Sequence, residues 1–565
     1  MIPSLSSTNA TGKGPTASDA FGGGTGFAAG GVICIGVFAI VATQALGWWF
    51  GVHAGAWALV PAAGAMLLAV AAQRPALRRP LLYQVPVCLL IAILLGAAPI
   101  ALRDPSWDGL AYHAPAVVEM LRGWNPVHAD TGRLWIDHYP NAAWAARAAL
   151  ADLAGGNPAF GRLLTALVAV AALAILREFL TTTLGVGRFA ALAIAALGVF
   201  SPIVLAQMWT DYVDGLLGLY ALGLLLALLA MRGPRPTWAL LIGVILAVLT
   251  AATKIAGLYY VFVLTLVAML WHLLQAWRAG SSPAPVLGHF AVLTAAVCVL
   301  LVIIAWRPYV TNILDHGALI HPPVETAMGP QRPDNLQGAG PAVRTGYLLF
   351  STGSTLPGQG EALELRAFDA GRDATRAATY DSRGGGFGPL FGFQLLLAGA
   401  LAAWAARTTS VTDDRLMWAA IGCLGATFFF PESWWARLVP LAWVGSVLLA
   451  ARVLVGNHPQ PVQARAGFGL VAVLALYNAV PFGINVGSEA REATREFRLL
   501  ADELRPEPAV ALAGSESNFF DLSYGHELSR AGVAVTIEAD CDGSMIVTRY
   551  AGELRICRPS PKDLR

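Results

Sequence analysis

Long apolar stretches broken by short polar connections run through most of this chain. A helix needs roughly 20 mainly apolar residues to cross a bilayer. On that measure about thirteen stretches qualify, centred near residues 40, 63, 92, 170, 197, 221, 245, 267, 298, 397, 422, 445 and 475. The connections fall into two classes that alternate along the chain. One class is short and basic, carrying Arg74, Arg78 and Arg79, then Arg188, Arg232 and Arg235, Arg278, Arg407 and Arg415, and finally Arg452 and Arg465. Cytoplasmic connections hold the excess of Lys and Arg, which predicts a cytoplasmic N-terminus and a C-terminal segment on the opposite side.

The second class is longer or carries acids: residues 103–157, 207–214, around 254, 307–386, 431–436, and everything after 486. All of these are expected on the extracytoplasmic face. Two are too long to be plain turns, and long ordered loops tend to carry function. After 486 the pattern changes. A helical period from Ser488 to Leu504, an apolar run Ala509 to Ala513, and strand-like runs Val533 to Ile537 and Met545 to Val547 predict a small α/β domain. The expected fold is an all-α polytopic membrane protein of about thirteen transmembrane helices, with residues 1–30 as a disordered cytoplasmic tail, 31–485 as the membrane domain and 486–565 as the small extracytoplasmic domain. No internal repeat and no matched pair of broken helices marks an inverted-repeat transporter.

Composition sharpens this in one direction only. Hydrophobic residues make up 56% of the 565 and charged residues 13%, with a mean hydropathy of +0.60, which excludes an ordinary soluble domain. A net charge of +2 gives no reason to expect nucleic acid as a partner. Cys34, Cys88, Cys298 and Cys423 lie in apolar runs and read as packing, whereas Cys541 and Cys557 lie in the polar C-terminal segment and form a disulfide if it faces an oxidising compartment. Soluble-enzyme signatures fail. His526-Glu527 has Arg530 where a zinc-protease helix needs its second His. The glycine-rich runs 22–30 and 384–392 have the wrong context for a dinucleotide fingerprint and read as linkers. There is no CxxC pair and no phosphate-binding P-loop.

The chemistry-bearing residues gather on the acid-bearing side. Asp108 follows the third span directly, flanked by the interfacial residue types Trp107 and Tyr112. A carboxylate there is either a general base or the cap of a short helix. Asp211 and Asp214 lie in a tight turn and either share a helical face or cap the next helix. Lys254, Arg307 and Arg437 each stand at a helix end where the positive-inside rule disfavours a base. A charge near hydrocarbon needs an anionic companion: either a lipid phosphate, which Arg grips through its fork and Lys as a point charge, or acids such as Glu432 and Asp214. His113, His138 and His316 are candidate hydrogen-bond donors to sugar or phosphate; no ligand-spaced cluster is evident, so no metal site is assigned.

Several of these residues fall in short motifs: Trp107-Asp108 with Tyr112-His113-Ala114-Pro115, then Gly123-Trp124-Asn125-Pro126, His138-Tyr139-Pro140, Arg307-Pro308-Tyr309-Val310-Thr311-Asn312, Gly385-Gly386-Phe387-Gly388-Pro389-Leu390-Phe391 and Trp434-Trp435-Ala436-Arg437. Over residues 100 to 440 this set resembles the GT-C class of membrane glycosyltransferases, which includes protein O-mannosyltransferases and lipid A aminoarabinose transferases. The resemblance implies a bacterial inner-membrane enzyme that moves a hexosyl or pentosyl group from a polyprenyl-phosphate donor to a glycan, lipid or protein acceptor. It implies Asp108 as the first-loop acid. With such a donor, Lys254, Arg307 and Arg437 are expected on its phosphate, and Tyr112, His113, Trp124, His138, Tyr139, Asp211, Asp214 and Glu432 on sugar or acceptor. Relatives often carry Asp-Glu where this chain has Asp108-Gly109. That leaves a second carboxylate among Asp104, Asp211 and Asp214, and leaves the need for a divalent metal open. The alternatives from other classes are a transporter or flippase for an anionic or lipid-linked substrate and a non-catalytic scaffold.

Overall fold

A computed structural model describes residues 24–185, 187–351, 362–365, 378–383, 386–408, 415–454, 461–513, 520–537, 545–548 and 552–557. Its membrane part is built from α1 (Thr25–Trp49), α2 (Leu59–Ala71), α3 (Pro75–Ala101), two helices of the first long connection, α4 (Ala114–Leu121) and α5 (Ala142–Leu153), then α6 (Leu163–Leu184), α7 (Arg188–Val199), α8 (Asp214–Leu229), α9 (Pro236–Thr253), α10 (Ala256–Arg278), α11 (Ala284–Ile304), α12 (Phe391–Thr408), α13 (Arg415–Phe428), α14 (Leu441–Ala451) and α15 (Pro461–Leu504). Every one of the thirteen expected centres falls inside one of these helices. Among the described residues eight helices are long and apolar enough to cross a bilayer, and five further apolar helices are shorter. The chain is a multi-pass membrane protein.

Burial separates the helices into a centre and a rim. The span that begins at Asp214 is buried along its whole length, and α6 packs between α1, α3, α7 and α8. In contrast α3, α10, α11 and α15 leave most of their apolar surface outside the protein, with Leu94, Phe262, Val299 and Val473 exposed. In water such a surface would be prohibitive; in lipid it is the expected exterior, because the backbone is already satisfied within each helix. Cys298 lies on this exposed rim, while Cys34, Cys88 and Cys423 are buried as expected of packing thiols.

α1 begins at Thr25, so the last residues assigned to the tail belong to a helix whose first turn is buried. Its N-cap is Gly24, which has no side chain to satisfy the free amides. Glu178 of α6 does so instead, accepting from the Gly24 amide at 2.8 Å and the Phe27 amide at 2.6 Å. A carboxylate at a helix N-terminus also meets the positive end of the helix dipole.

The second glycine-rich run is no linker where it is described. Gly386 (φ +54°) and Gly388 (φ +113°) make a turn in the left-handed region, packed so closely that a Cβ would lie 2.2 Å from the Leu348 carbonyl at the first and 2.9 Å from Asn478 at the second. The Asn478 side chain of α15 accepts from the Leu390 amide at 2.9 Å, fixing the entry to α12. Gly385 lies outside the described residues.

α15 runs unbroken through the expected domain boundary at 486. It delivers the chain to a four-stranded sheet, β1 (Val510–Ala513), β2 (Val535–Ile537), β3 (Met545–Thr548) and β4 (Gly552–Cys557), in the order β2-β1-β4-β3, with α16 (Phe520–Arg530) between β1 and β2. β1 and β2 are parallel, and the β1/β4 and β3/β4 pairs are antiparallel. Cys557 is disulfide-bonded; Cys541 lies outside the described residues.

Candidate active site

The first long connection opens with Leu102 extended, then turns sharply, so that Asp108 precedes a single π-helical turn from Gly109 to His113 that runs into α4. The Asp108 side chain makes no capping bond. Its Oδ2 lies 2.7 Å from Arg437 Nη1 instead, across 329 residues of sequence. Arg437 follows Trp434-Trp435-Ala436 in the connection before α14, and its guanidinium also lies 3.1 Å from Asp381 and 3.9 Å from Asp214. It is sandwiched by aromatic faces, 4.6 Å from the Tyr212 ring centre and 4.3 Å from that of Trp435. Burial works against its charge, but Tyr212, Asp381, Asp108 and Asp214 outweigh it and hold Arg437 protonated well above the ordinary range. Lys254, at the C-terminus of α9, is bonded to the other oxygen of Asp214, the first residue of α8. Two of the three predicted cations therefore converge on one carboxylate cluster.

Around this cluster lies an aromatic layer. Tyr139 is 5.7 Å from Tyr112 and 5.5 Å from His113, and it stacks on Trp144 at 5.2 Å. Burial, helped by Arg147, Lys254 and Arg437, pushes the His113 pKa well below its usual value, so the ring is neutral. Its Nδ1 accepts from the Trp144 indole at 2.9 Å, which leaves the proton on Nε2 as a donor. The Tyr139 hydroxyl is buried and has no hydrogen-bond partner among the described residues. Tyr112 and Tyr139 are both pushed above the usual phenol range, by burial first and then by the nearby carboxylates, so both remain neutral donors.

The remaining predicted residues go elsewhere. Asp211 and Asp214 share no helical face, because α8 begins only at Asp214 and the turn before it sends the two carboxylates apart. Asp211 joins Asp104, Arg147 and Arg162. Its amide donates to Asp104 Oδ2 at 2.6 Å, and its carboxylate lies 3.4 Å from Arg162 and 3.7 Å from Arg147. Burial and the neighbouring Asp211 push the Asp104 pKa up to about 7, against the pull of Arg162. Arg307 is engaged with Asp137 at 3.5 Å and donates to the Pro126 carbonyl at 3.0 Å. Glu432 is buried against Arg332 and the Trp434 indole. The Trp124 indole donates to the Ala129 carbonyl at 3.0 Å and so staples its own turn. His138 lies beside Asn312, in a group with His316 and His321.

Asp104 also explains the Asp108-Gly109 departure. A Cβ on Gly109 would lie 2.0 Å from Asp104 Oδ2 and 2.3 Å from Ser106 Oγ. The carboxyl of Asp104, held by the Ser106 amide at 2.7 Å, fills the space a side chain at 109 would take.

No family model and no curated protein matches the chain. Two solved structures of ArnT from Cupriavidus metallidurans are similar in fold, one in the apo state and one bound to undecaprenyl phosphate. Identity is 12% and 13%, each comparison covers 84% of this chain and 99% of the other, and the TM-score is 0.47 for both. What the site can do has to be read from its own residues.

Two contributors escaped the sequence reading. Asp381 sits in a polar connection with no apolar frame to give its depth; only its place four residues before Gly385 hinted at it. Tyr212 lies between the two quoted acids, and its ring face supports Arg437.

Proposed function

We propose that this protein is a membrane glycosyltransferase that moves a sugar from a polyprenyl-phosphate donor to an acceptor on the extracytoplasmic face, with inversion at the anomeric carbon. The observation that carries the reading is the 2.7 Å contact of Asp108 with Arg437, with Lys254 reaching the same cluster through Asp214. A charged cluster at the ends of membrane helices suits a substrate whose charged headgroup sits at the membrane surface. Arg437 and Lys254 hold the donor phosphate, and Arg307 joins from the Asp137 side. A phosphate that takes the fork of Arg437 displaces Asp108 from it and leaves that carboxylate free to accept a proton.

The acceptor hydroxyl or amine then attacks the anomeric carbon. The new bond forms as its proton passes to Asp108, and the bond to the phosphate oxygen breaks with its electron pair remaining on the phosphate. The cations stabilise the charge that grows there. His113 Nε2 and the Tyr139 hydroxyl supply donors for sugar hydroxyls. The purified protein incubated with labelled polyprenyl-phosphate sugars and a membrane acceptor extract tests this. Asp108→Asn abolishes transfer while the variant still binds donor and elutes as the wild type does. Near-normal turnover in that variant removes Asp108 from the mechanism, and translocation without transfer replaces the enzyme with a transporter.

A further inference from the structure

Away from the carboxylate cluster, the chain after α11 folds back onto the first connection and brings three histidines to one corner. His316 ends the short helix Thr311–His316, His321 follows five residues later, and His138 comes from the first connection. One ring nitrogen of each lies within 4.8 Å of the others. The His316 and His321 rings stack with centres 3.6 Å apart and planes at 7°, and His138 stands edge-on to both at 5.0 and 4.6 Å. His138 Nδ1 lies 2.6 Å from Asn312 Oδ1. An amide oxygen only accepts, so Nδ1 carries the proton and the other ring nitrogen keeps its lone pair. Metal-bound histidines have this arrangement, with an acceptor behind the ring that fixes the tautomer. Asn312 is itself fully buried and tied to the Leu319 carbonyl.

The neighbouring carboxylate of Asp137 is already taken by the amides of Thr131 and Arg133 and by Arg307. Neutral imidazoles whose ring nitrogens crowd together set their lone pairs against one another, and a cation placed among them accepts those lone pairs. We propose that His138, His316 and His321 bind one divalent transition-metal ion of the zinc class, which pins the chain after α11 to the first connection. Zinc–nitrogen bonds of about 2.0–2.1 Å put the nitrogens of a tetrahedral site roughly 3.4 Å apart. The three therefore draw together by about 1.5 Å at most, within reach of a rotation of the exposed His316. Imidazole nitrogens select this class over magnesium or calcium, which take oxygen ligands. Three protein ligands leave a fourth position for water or an anionic oxygen.

The site does not rest on the transfer reaction, and the test keeps the two apart. The full-length protein, purified in detergent without a polyhistidine tag and stripped with chelator, is equilibrated with zinc chloride, desalted and assayed for metal, beside His316→Ala/His321→Ala. Wild type is expected to retain about one zinc per chain and the double variant less than about a tenth of that, both eluting alike. Cobalt in place of zinc gives the visible bands of a nitrogen-ligated ion in wild type only, and Asn312→Ala weakens affinity by about 10- to 100-fold. Asp108→Asn keeps its zinc. Equal retention in wild type and double variant, or none in either, overturns the site.

Discussion

Replacing Arg437 with methionine keeps much of the side-chain volume but removes the charge that three buried carboxylates share. The guanidinium lies 2.7 Å from Asp108, 3.1 Å from Asp381 and 3.9 Å from Asp214. Removing one partner of a buried ion pair costs about 3–5 kcal/mol, because the other charge is left uncompensated. Two cations remain in reach, Lys254 on Asp214 and Arg383 at 2.9 Å from Asp381, so the loss falls mainly on Asp108 and its net size is about 3 kcal/mol. Part of it is recovered by protonation: Asp381 is already pushed above the usual carboxylate range by burial and loses the pull of Arg437 that restrains it. The same logic predicts that Asp108→Asn repairs part of the Arg437→Met defect. Contacting residues couple by about 0.5–3 kcal/mol, and a pair at 2.7 Å belongs in the upper half of that range. The assay is a double-mutant cycle on unfolding in detergent, followed by the fraction surviving size-exclusion chromatography after heating. If the two changes add within about 0.5 kcal/mol, Asp108 and Arg437 do not interact as described, and the site loses its centre.

Two further predictions concern the turn that carries Asp108. The folded chain keeps a proton on Asp104 up to about pH 7, whereas an unfolded Asp releases it near pH 4. Stability is thus greatest below the unfolded value and falls as pH rises to about 7, by on the order of a few kcal/mol, then levels off. Melting temperatures at pH 5 and pH 8 should differ in wild type and differ far less in Asp104→Asn; equal pH dependence in the two proteins rules this out. Gly109→Ala forces its new methyl against Asp104 Oδ2, 2.0 Å away, and is expected to cost about 1–3 kcal/mol and to lower transfer through displacement of Asp108. Asp104→Ala removes the carboxyl but not the Ser106 hydroxyl from that space, so Gly109→Ala should cost less in an Asp104→Ala background than in wild type, and an equal cost in both would refute the packing account.

Hydropathy is a local property, which is why windows of apolar residues placed each helix centre without any knowledge of the fold. Sidedness, too, was legible: the arginine pattern put Asp108 and Arg437 on one face before any contact was known. What the sequence could not show is partner choice within that face. Glu432 lies five residues from Arg437 in sequence but is bound by Arg332, a residue a hundred positions upstream. Asp211 and Asp214, three residues apart, serve different networks because a helix starts between them. Asp104 was weighed as a second carboxylate, yet only the space beside Gly109 reveals that it occupies the neighbouring position by packing.

The last membrane helix has a mechanical consequence. α15 is 44 residues long, roughly 66 Å at 1.5 Å per residue, and is embedded for only part of that length. Its far half holds Thr494, which accepts from the Arg103 amide at 2.8 Å, and Phe497, whose ring lies 4.9 Å from the Arg103 guanidinium. Beyond it, α16 clamps the same arginine through Glu527 at 2.6 Å, and Ser523 donates to the Leu110 carbonyl at 2.7 Å, two residues past Asp108. A rod of this kind works as a lever: helices tilt to match bilayer thickness, and a few degrees at the membrane become ångströms at the tip. A tilt of α15 is thereby passed through Arg103 and Ser523 to the turn that carries Asp108.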